Sequence, residues 1–150
     1  MRAPKIQKRY IDYSLGFPVV LLNAPMIKVR GQWALRVNYN DYQQIVLNLL
    51  AYKPAKLTGS EVSFIRKQFQ MTVRAFAERF SIKHSAVIKW EKKKDKATKM
   101  AWSTEKDIRL FILDELSRRA AELYKLYKVL KEEVQETKHP IQIDLEKLAA

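Results

Sequence analysis

Two histidines, His84 and His139, three glycines and no cysteine are the stock from which an active centre would have to be built. Without a thiol there is no thiolate nucleophile, no disulfide framework and no Cys-ligated zinc or iron–sulfur site. The histidines stand in different segments, with no His-x-x-x-His pair, Gly-rich phosphate loop or nucleophile elbow near either. The expectation is therefore a non-enzyme that needs neither metal nor cofactor. What remains is ionic chemistry. The chain carries 29 Lys and Arg against 16 Asp and Glu, a formal net charge of +13. Residues 83–99 hold seven basic and two acidic side chains, residues 1–36 seven and one, and residues 104–150 nine and ten. Clustered Lys and Arg gain affinity for a polyanion by releasing counterions from phosphates, although a charge run also serves as a solubilising surface.

The most informative cations lie beside an apolar pattern. Phe76, Phe80, Ile82, Val87 and Trp90 are spaced so that two short helices, crossing steeply through a three-residue turn, would bury all five. Ala77 stands where a large side chain would prevent close approach. His84, Ser85, Ile88 and Lys89 are then left facing outward on the second helix. In a major groove these are candidates for base contacts: Lys for a guanine edge, His and Ser as donors or acceptors. Ile88 suits either a thymine methyl or packing on a partner. Thr72, Arg74, Lys83, Lys92, Lys93, Lys94 and Lys96 are candidates for phosphate contacts, which position without specifying.

The elements around this stretch follow from local signals. Residues 10–39 read as strands of a small antiparallel sheet: Val19 to Leu22, a break at Asn23-Ala24-Pro25, Met26 to Arg30, a turn at Gly31-Gln32, then Trp33 to Tyr39 in strict alternation. Asn40-Asp41 caps a helix from Tyr42 to about Tyr52, and Lys53-Pro54-Ala55-Lys56 is the linker. Thr58-Gly59-Ser60-Glu61 has the form of a capping box, and Thr72 is placed to cap the next helix. Ser103-Thr104-Glu105 opens a last helix running to about Glu136. The fold expected is α+β, mostly α. Residues 1–53 form a strand-rich module, 57–102 a helix-turn-helix bundle, 103–137 a long helix and 138–150 a tail. Within that tail Ile141-Gln142-Ile143 fits an edge strand or loose chain, and Leu145 to Leu148 a short helix.

Residues 57–91 resemble the phage-repressor (Xre-type) helix-turn-helix family. Met71 to Phe80 is similar to its second helix, with a Thr cap and a small Ala at the crossing. Ser81 to Glu91 is similar to its turn and recognition helix, ending in an aromatic residue followed by Glu. The resemblance implies an ion pair between Arg66 and Glu91 that fixes the helices and can present the Arg to a phosphate. It departs from the pattern at Ser81, where the family usually has Gly, at Val73, where it often has Gln, and at Lys83, where a Ser or Thr cap is usual. Such a protein binds double-stranded DNA and regulates transcription, here as a dimeric repressor reading a palindrome.

Dimerisation is the functional reading of the long helix. Leu113, Leu116, Ala120, Leu123, Tyr127, Leu130 and Val134 recur in alternating steps of three and four over about 33 Å. The alternative is packing on the chain's own N-terminal part. Ile112, Tyr124 and Leu126 widen the stripe, which favours a helical bundle or packed hairpin over a parallel zipper. The order of a strand-rich module before this helix-turn-helix also resembles zinc-ribbon antitoxins, but the paired cysteines are missing, so zinc is not implied. An antitoxin whose N-terminal module binds a toxin protein is the alternative function. No run approaches the ~20 apolar residues of a membrane span, and no signal-type apolar run follows the basic start. A cytoplasmic location is the expectation.

Overall fold

In a computed structural model the described residues are 5–116, 120–134, 136 and 140–148. The chain is mixed α/β, with about 47% helix and 22% strand. It divides into two compact units. One comprises Met1–Ile45 with Pro140–Ala150, and the other Val46–His139.

The first unit is built on a four-stranded sheet. β1 (Lys5–Asp12) runs antiparallel to β2 (Val19–Val29), in a register from Lys5 opposite Met26 to Asp12 opposite Val19. The other edge of β2 is shared. β3 (Gln32–Leu35) pairs antiparallel with Met26 to Val29, and β4 (Ile141–Asp144) pairs parallel with Val19 to Leu22. Val19, Leu21 and Ala24 of β2 are completely buried. The expected break at Asn23-Ala24-Pro25 is absent, because each residue finds a place in the continuing strand. Asn23 takes a positive φ of 54°, which Asn tolerates better than most residues. Its amide donates to the Asp144 carboxylate at 2.7 Å, tying in β4, and the Pro25 carbonyl accepts from the Arg36 amide at 2.7 Å. The hairpin turn falls on Arg30 (φ 50°) and Gly31 (φ 79°), one residue earlier than expected, in the two-residue form that matches strand twist. β1 begins well before residue 10, in a segment whose lysines masked its strand character.

Helix α1 (Tyr39–Tyr52) starts three residues before the expected Tyr42. Asn38, rather than Asn40-Asp41, supplies the cap: its side-chain oxygen accepts from the Asp41 amide at 3.1 Å. Tyr42 donates its hydroxyl to Asp12 at 2.7 Å, and Ser14 donates to the same carboxylate at 2.7 Å. The C-terminal stretch resolves into β4 and a short α7 (Leu145–Leu148), with Ile141 and Ile143 buried. It is thus part of the sheet unit rather than a separate tail.

The second unit contains α2 (Gly59–Gln68), α3 (Val73–Arg79), α4 (His84–Glu91), α5 (Trp102–Leu116) and α6 (Ala120–Val129). The capping box at Thr58 forms in both directions: Glu61 N–H donates to the Thr58 hydroxyl, and Thr58 N–H donates to the Glu61 carboxylate. Val62, Ile65, Phe76, Val87, Ile108, Ile112, Leu126 and Leu130 are fully buried. So is Arg109. Its guanidinium donates to the carbonyls of Lys53 and Ala55 at 2.6 Å each and of Ala51 at 3.4 Å, and to Glu105 at 2.8 and 3.2 Å. It therefore satisfies the Ala51 carbonyl, left without a helical partner at the end of α1, and two carbonyls of the segment that follows. Beside it, Lys53 donates to both oxygens of Glu61 at 2.8 and 2.7 Å.

The single helix expected over 103–137 is corrected to two. Residues 117–119, 135 and 137 of that stretch lie outside the described residues. Still, the Lys106 ammonium sits 5.9 Å from the Tyr127 ring, whereas one straight helix would separate them by about 31 Å. α6 therefore doubles back on α5. A heptad stripe reads the same in one long helix and in a folded hairpin.

Candidate nucleic-acid interface

The α3–α4 pair is set by its caps and its turn. The Thr72 hydroxyl accepts from the Ala75 amide at 3.0 Å and starts α3. After Phe80 the chain turns through Ser81 at φ 55°, the left-handed conformation for which glycine is the usual solution. That costs about 1 kcal/mol, offset by Ser81 and Ile82 amides donating back to Glu78 and Ala77 at 3.2 and 2.9 Å. Lys83 occupies the N-cap position of α4 without a side-chain hydrogen bond. Phe76, Ala77, Phe80, Val87 and Trp90 are buried, and Ile82 is half-buried. On the opposite side of α4, His84, Ser85, Ile88 and Lys89 are all exposed. Ile88 is 41% exposed, a large aliphatic side chain turned to solvent from a helix otherwise anchored by Val87 and Trp90.

Arg66 on α2 locks the end of α4. Its Nε and Nη2 donate to the two oxygens of Glu91 at 2.7 and 2.9 Å, and Nη1 donates to the Met71 carbonyl at 2.9 Å. The hydrogen bonds to Glu91 raise the Arg66 pKa further, against the opposing effect of burial. With both edges of the guanidinium engaged, the pair holds α2, α4 and the start of α3 together. Gly59 was not singled out by sequence, and it is what brings α2 so close. A β-carbon there would collide with the Trp90 carbonyl oxygen and lie 2.7 Å from the Lys94 nitrogen. The glycine is needed for this approach, not for its dihedral freedom.

The lysine loop after α4 is fastened by its backbone. Lys96 and Lys94 carbonyls accept from the Gly59 and Ser60 amides at 3.2 and 2.9 Å, and Thr98 N–H donates to the Leu57 carbonyl at 3.1 Å. The first amides of α2 are thereby used within the chain. Lys92, Lys94 and Lys96 are exposed. Lys93 is half-buried and its ammonium donates to the Thr98 carbonyl at 2.9 Å, so this expected phosphate ligand is already engaged. Arg74 and Lys83 are exposed, and Thr72 is exposed while it caps α3. Arg79, which sequence reasoning passed over, lays its guanidinium over Phe80 and Phe111 at 5.0 and 4.9 Å.

The dimerisation stripe is not brought together. Leu113 and Leu130 are fully buried within the chain, Leu116 and Val134 are half-buried, and Tyr127 is 55% exposed. The side chain of Leu123 lies outside the described residues. Once α6 folds back, Leu113 and Leu130 face their own core and are not available to a second copy, while Tyr127 stays at the surface. Val134 instead lines a polar cleft of about 470 Å³ with Lys56, Lys99, Met100, Glu133 and Glu136. Among the described residues no cluster of His, Cys, Asp and Glu could hold a metal ion, and no helix is long and apolar enough to cross a membrane.

The chain matches no family model, no curated protein and no solved structure.

Proposed function

We propose that the chain is a sequence-specific regulator that binds double-stranded DNA, with α4 as the reading helix. One observation carries this reading. α4 is anchored by Val87, Trp90 and the Arg66–Glu91 pair, yet keeps His84, Ser85, Ile88 and Lys89 on a continuous exposed face. A helix held rigidly from behind, with donors and one aliphatic group on its free face, suits base-edge readout in a major groove. Arg74 on α3, Lys83 and Lys92 at the two caps of α4, and Lys94 and Lys96 in the loop after it are exposed cations suited to phosphates. The resemblance to phage repressors rests on the same residues. Binding as a dimer to a palindrome belongs to this proposal, but the contact cannot use Leu113 or Leu130; among the described side chains of α6, exposed Tyr127 and Val129 offer apolar surface for it.

The test is a titration against DNA from the chain's own promoter and against scrambled DNA of the same composition, at about 150 mM salt, where non-specific binding is weak. Preference for the promoter by about 1,000-fold supports a regulator. Equal, salt-sensitive binding to both reduces the +13 to a general charge effect and removes the reading.

A further inference from the structure

The sheet unit carries a charged surface that α4 does not explain. Lys5, Lys8, Arg9, Arg30 and Arg36 are exposed and Lys28 is half-buried, and among the described residues no ion pair holds any of the six. Asp12, the one acidic residue between Lys5 and Arg36, is buried and takes hydrogen bonds from Tyr42 and Ser14. The exposed charges between Lys5 and Arg36 are therefore all positive, and the carboxylate of Asp144 on β4 is held by the Asn23 amide. Aromatic rings stand among the cations. Trp33 is 39% exposed even with the Lys5 and Lys28 ammonium groups drawn to 4.3 and 5.8 Å from its ring. Tyr13, following the other end of β1, is 66% exposed. The eight residues of β1 set the two ends of the strand about 23 Å apart, and between them exposed Arg9 shares the face of Lys5 while Lys8 points to the other.

We propose that this surface binds a short single-stranded nucleic acid, with a base stacked on Trp33 and the backbone following Lys28, Lys5 and Arg9, which the strand register places on the face of Trp33. A duplex needs no exposed aromatic ring. Unpaired bases do, because every base has a face to stack, while the cations meet the phosphates between them. The observations do not involve α4, so this inference stands or falls apart from the proposed DNA reading.

The test uses the full chain and labelled thymidine or uridine oligonucleotides of about eight nucleotides, followed by fluorescence anisotropy at about 50 mM salt. Trp33→Leu is expected to weaken binding about tenfold, and Trp33→Phe to retain most of it. Lys5→Gln with Lys28→Gln is expected to weaken binding and flatten its salt dependence by about two units at most. Lys89→Ala is expected to leave oligonucleotide binding unchanged. Tighter binding of uridine than thymidine strands would assign RNA, and equal binding a site indifferent to the sugar. The proposal is overturned if Trp33→Leu binds like the parent, if an abasic strand binds as tightly as the thymidine strand, or if Lys89→Ala removes the binding. Urea melts of each variant check that the sheet unit still folds.

Discussion

Glu91 closes α4 by taking two hydrogen bonds, at 2.7 and 2.9 Å, from the guanidinium of Arg66, 25 residues earlier on α2. Both side chains are largely shielded, at 13% and 17% exposure. Removing one partner leaves a charge in a poorly hydrated place, so Arg66→Ala is expected to cost about 2 kcal/mol. Arg66→Lys restores charge without the fork and is expected to recover only part. Urea denaturation measures both. A variant that keeps its stability but loses DNA discrimination would make Arg66 a contact residue instead.

Arg109 is a stronger case. Burial lowers its pKa and raises that of Glu105, each opposed by the partner's charge and hydrogen bonds. Arg109→Met strands Glu105 and three carbonyls, and is expected to cost about 3–5 kcal/mol. Adding Glu105→Leu to Arg109→Met is expected to recover part of that, because the buried charge goes too. If the double variant is no more stable than the single one in urea, the orphaned carbonyls dominate and the carboxylate does not.

Tyr42 provides a pH-dependent prediction. Burial, then its hydrogen bond to Asp12 and that residue's charge, push its phenol well above the usual range. In the unfolded chain the phenol ionises near pH 10, while in the folded chain it keeps its proton. Above about pH 10 the folded state thus holds the extra proton, and stability falls as pH rises, by at most about 1.4 kcal/mol per unit. Its contribution is fully present below that pH. Tyr42→Phe is expected to shrink the alkaline loss, read as the difference between urea midpoints at about pH 9 and about pH 11. Equal losses in parent and variant would show that the phenol ionises alike in both states.

On DNA, two lysines only a few residues apart are expected to behave differently. Lys89→Ala should narrow the ratio between promoter and scrambled affinities by about 1–3 kcal/mol. Lys92→Ala should weaken both alike and reduce the salt slope by about one unit. Lys93, bound to the Thr98 carbonyl, should affect stability before it affects the slope. Competition titrations over a salt series read all three. A Lys89→Ala variant with undiminished discrimination would displace α4 from the reading role.

The parts legible in sequence were those held by nearby residues. Thr58 with Glu61, and Thr72 with Ala75, are side chain–backbone contacts three residues apart, and they appear where the pattern put them. The exposure of His84, Ser85, Ile88 and Lys89 followed from the period of Val87 and Trp90. The positive φ at Ser81 followed from a turn that would normally hold glycine. What escaped was non-local. Asn23 and Pro25 are breakers by type, but Asp144 and Arg36 complete their hydrogen bonds from far along the chain. Arg109 looks like the polar face of an amphipathic helix until the carbonyls of Lys53 and Ala55 arrive to meet it. Gly59 has no local signal, since what it makes room for is the Trp90 carbonyl oxygen.

Because β4 pairs beside the N-terminal half of β2, the sheet is closed by residues made long after its other strands. Asp144 emerges from the ribosome 121 residues after Asn23. At about 5–20 residues per second, that is a wait of roughly 6–24 s in which the Val19–Leu22 part of that flank of β2 has no neighbour. The whole of Val46–His139 is synthesised within that interval, so the helical unit can fold during translation while the sheet unit must wait for its final strand. A nascent chain stalled before Ile141 should therefore yield a protease-resistant helical core and a still-cleavable Val19–Leu22 segment.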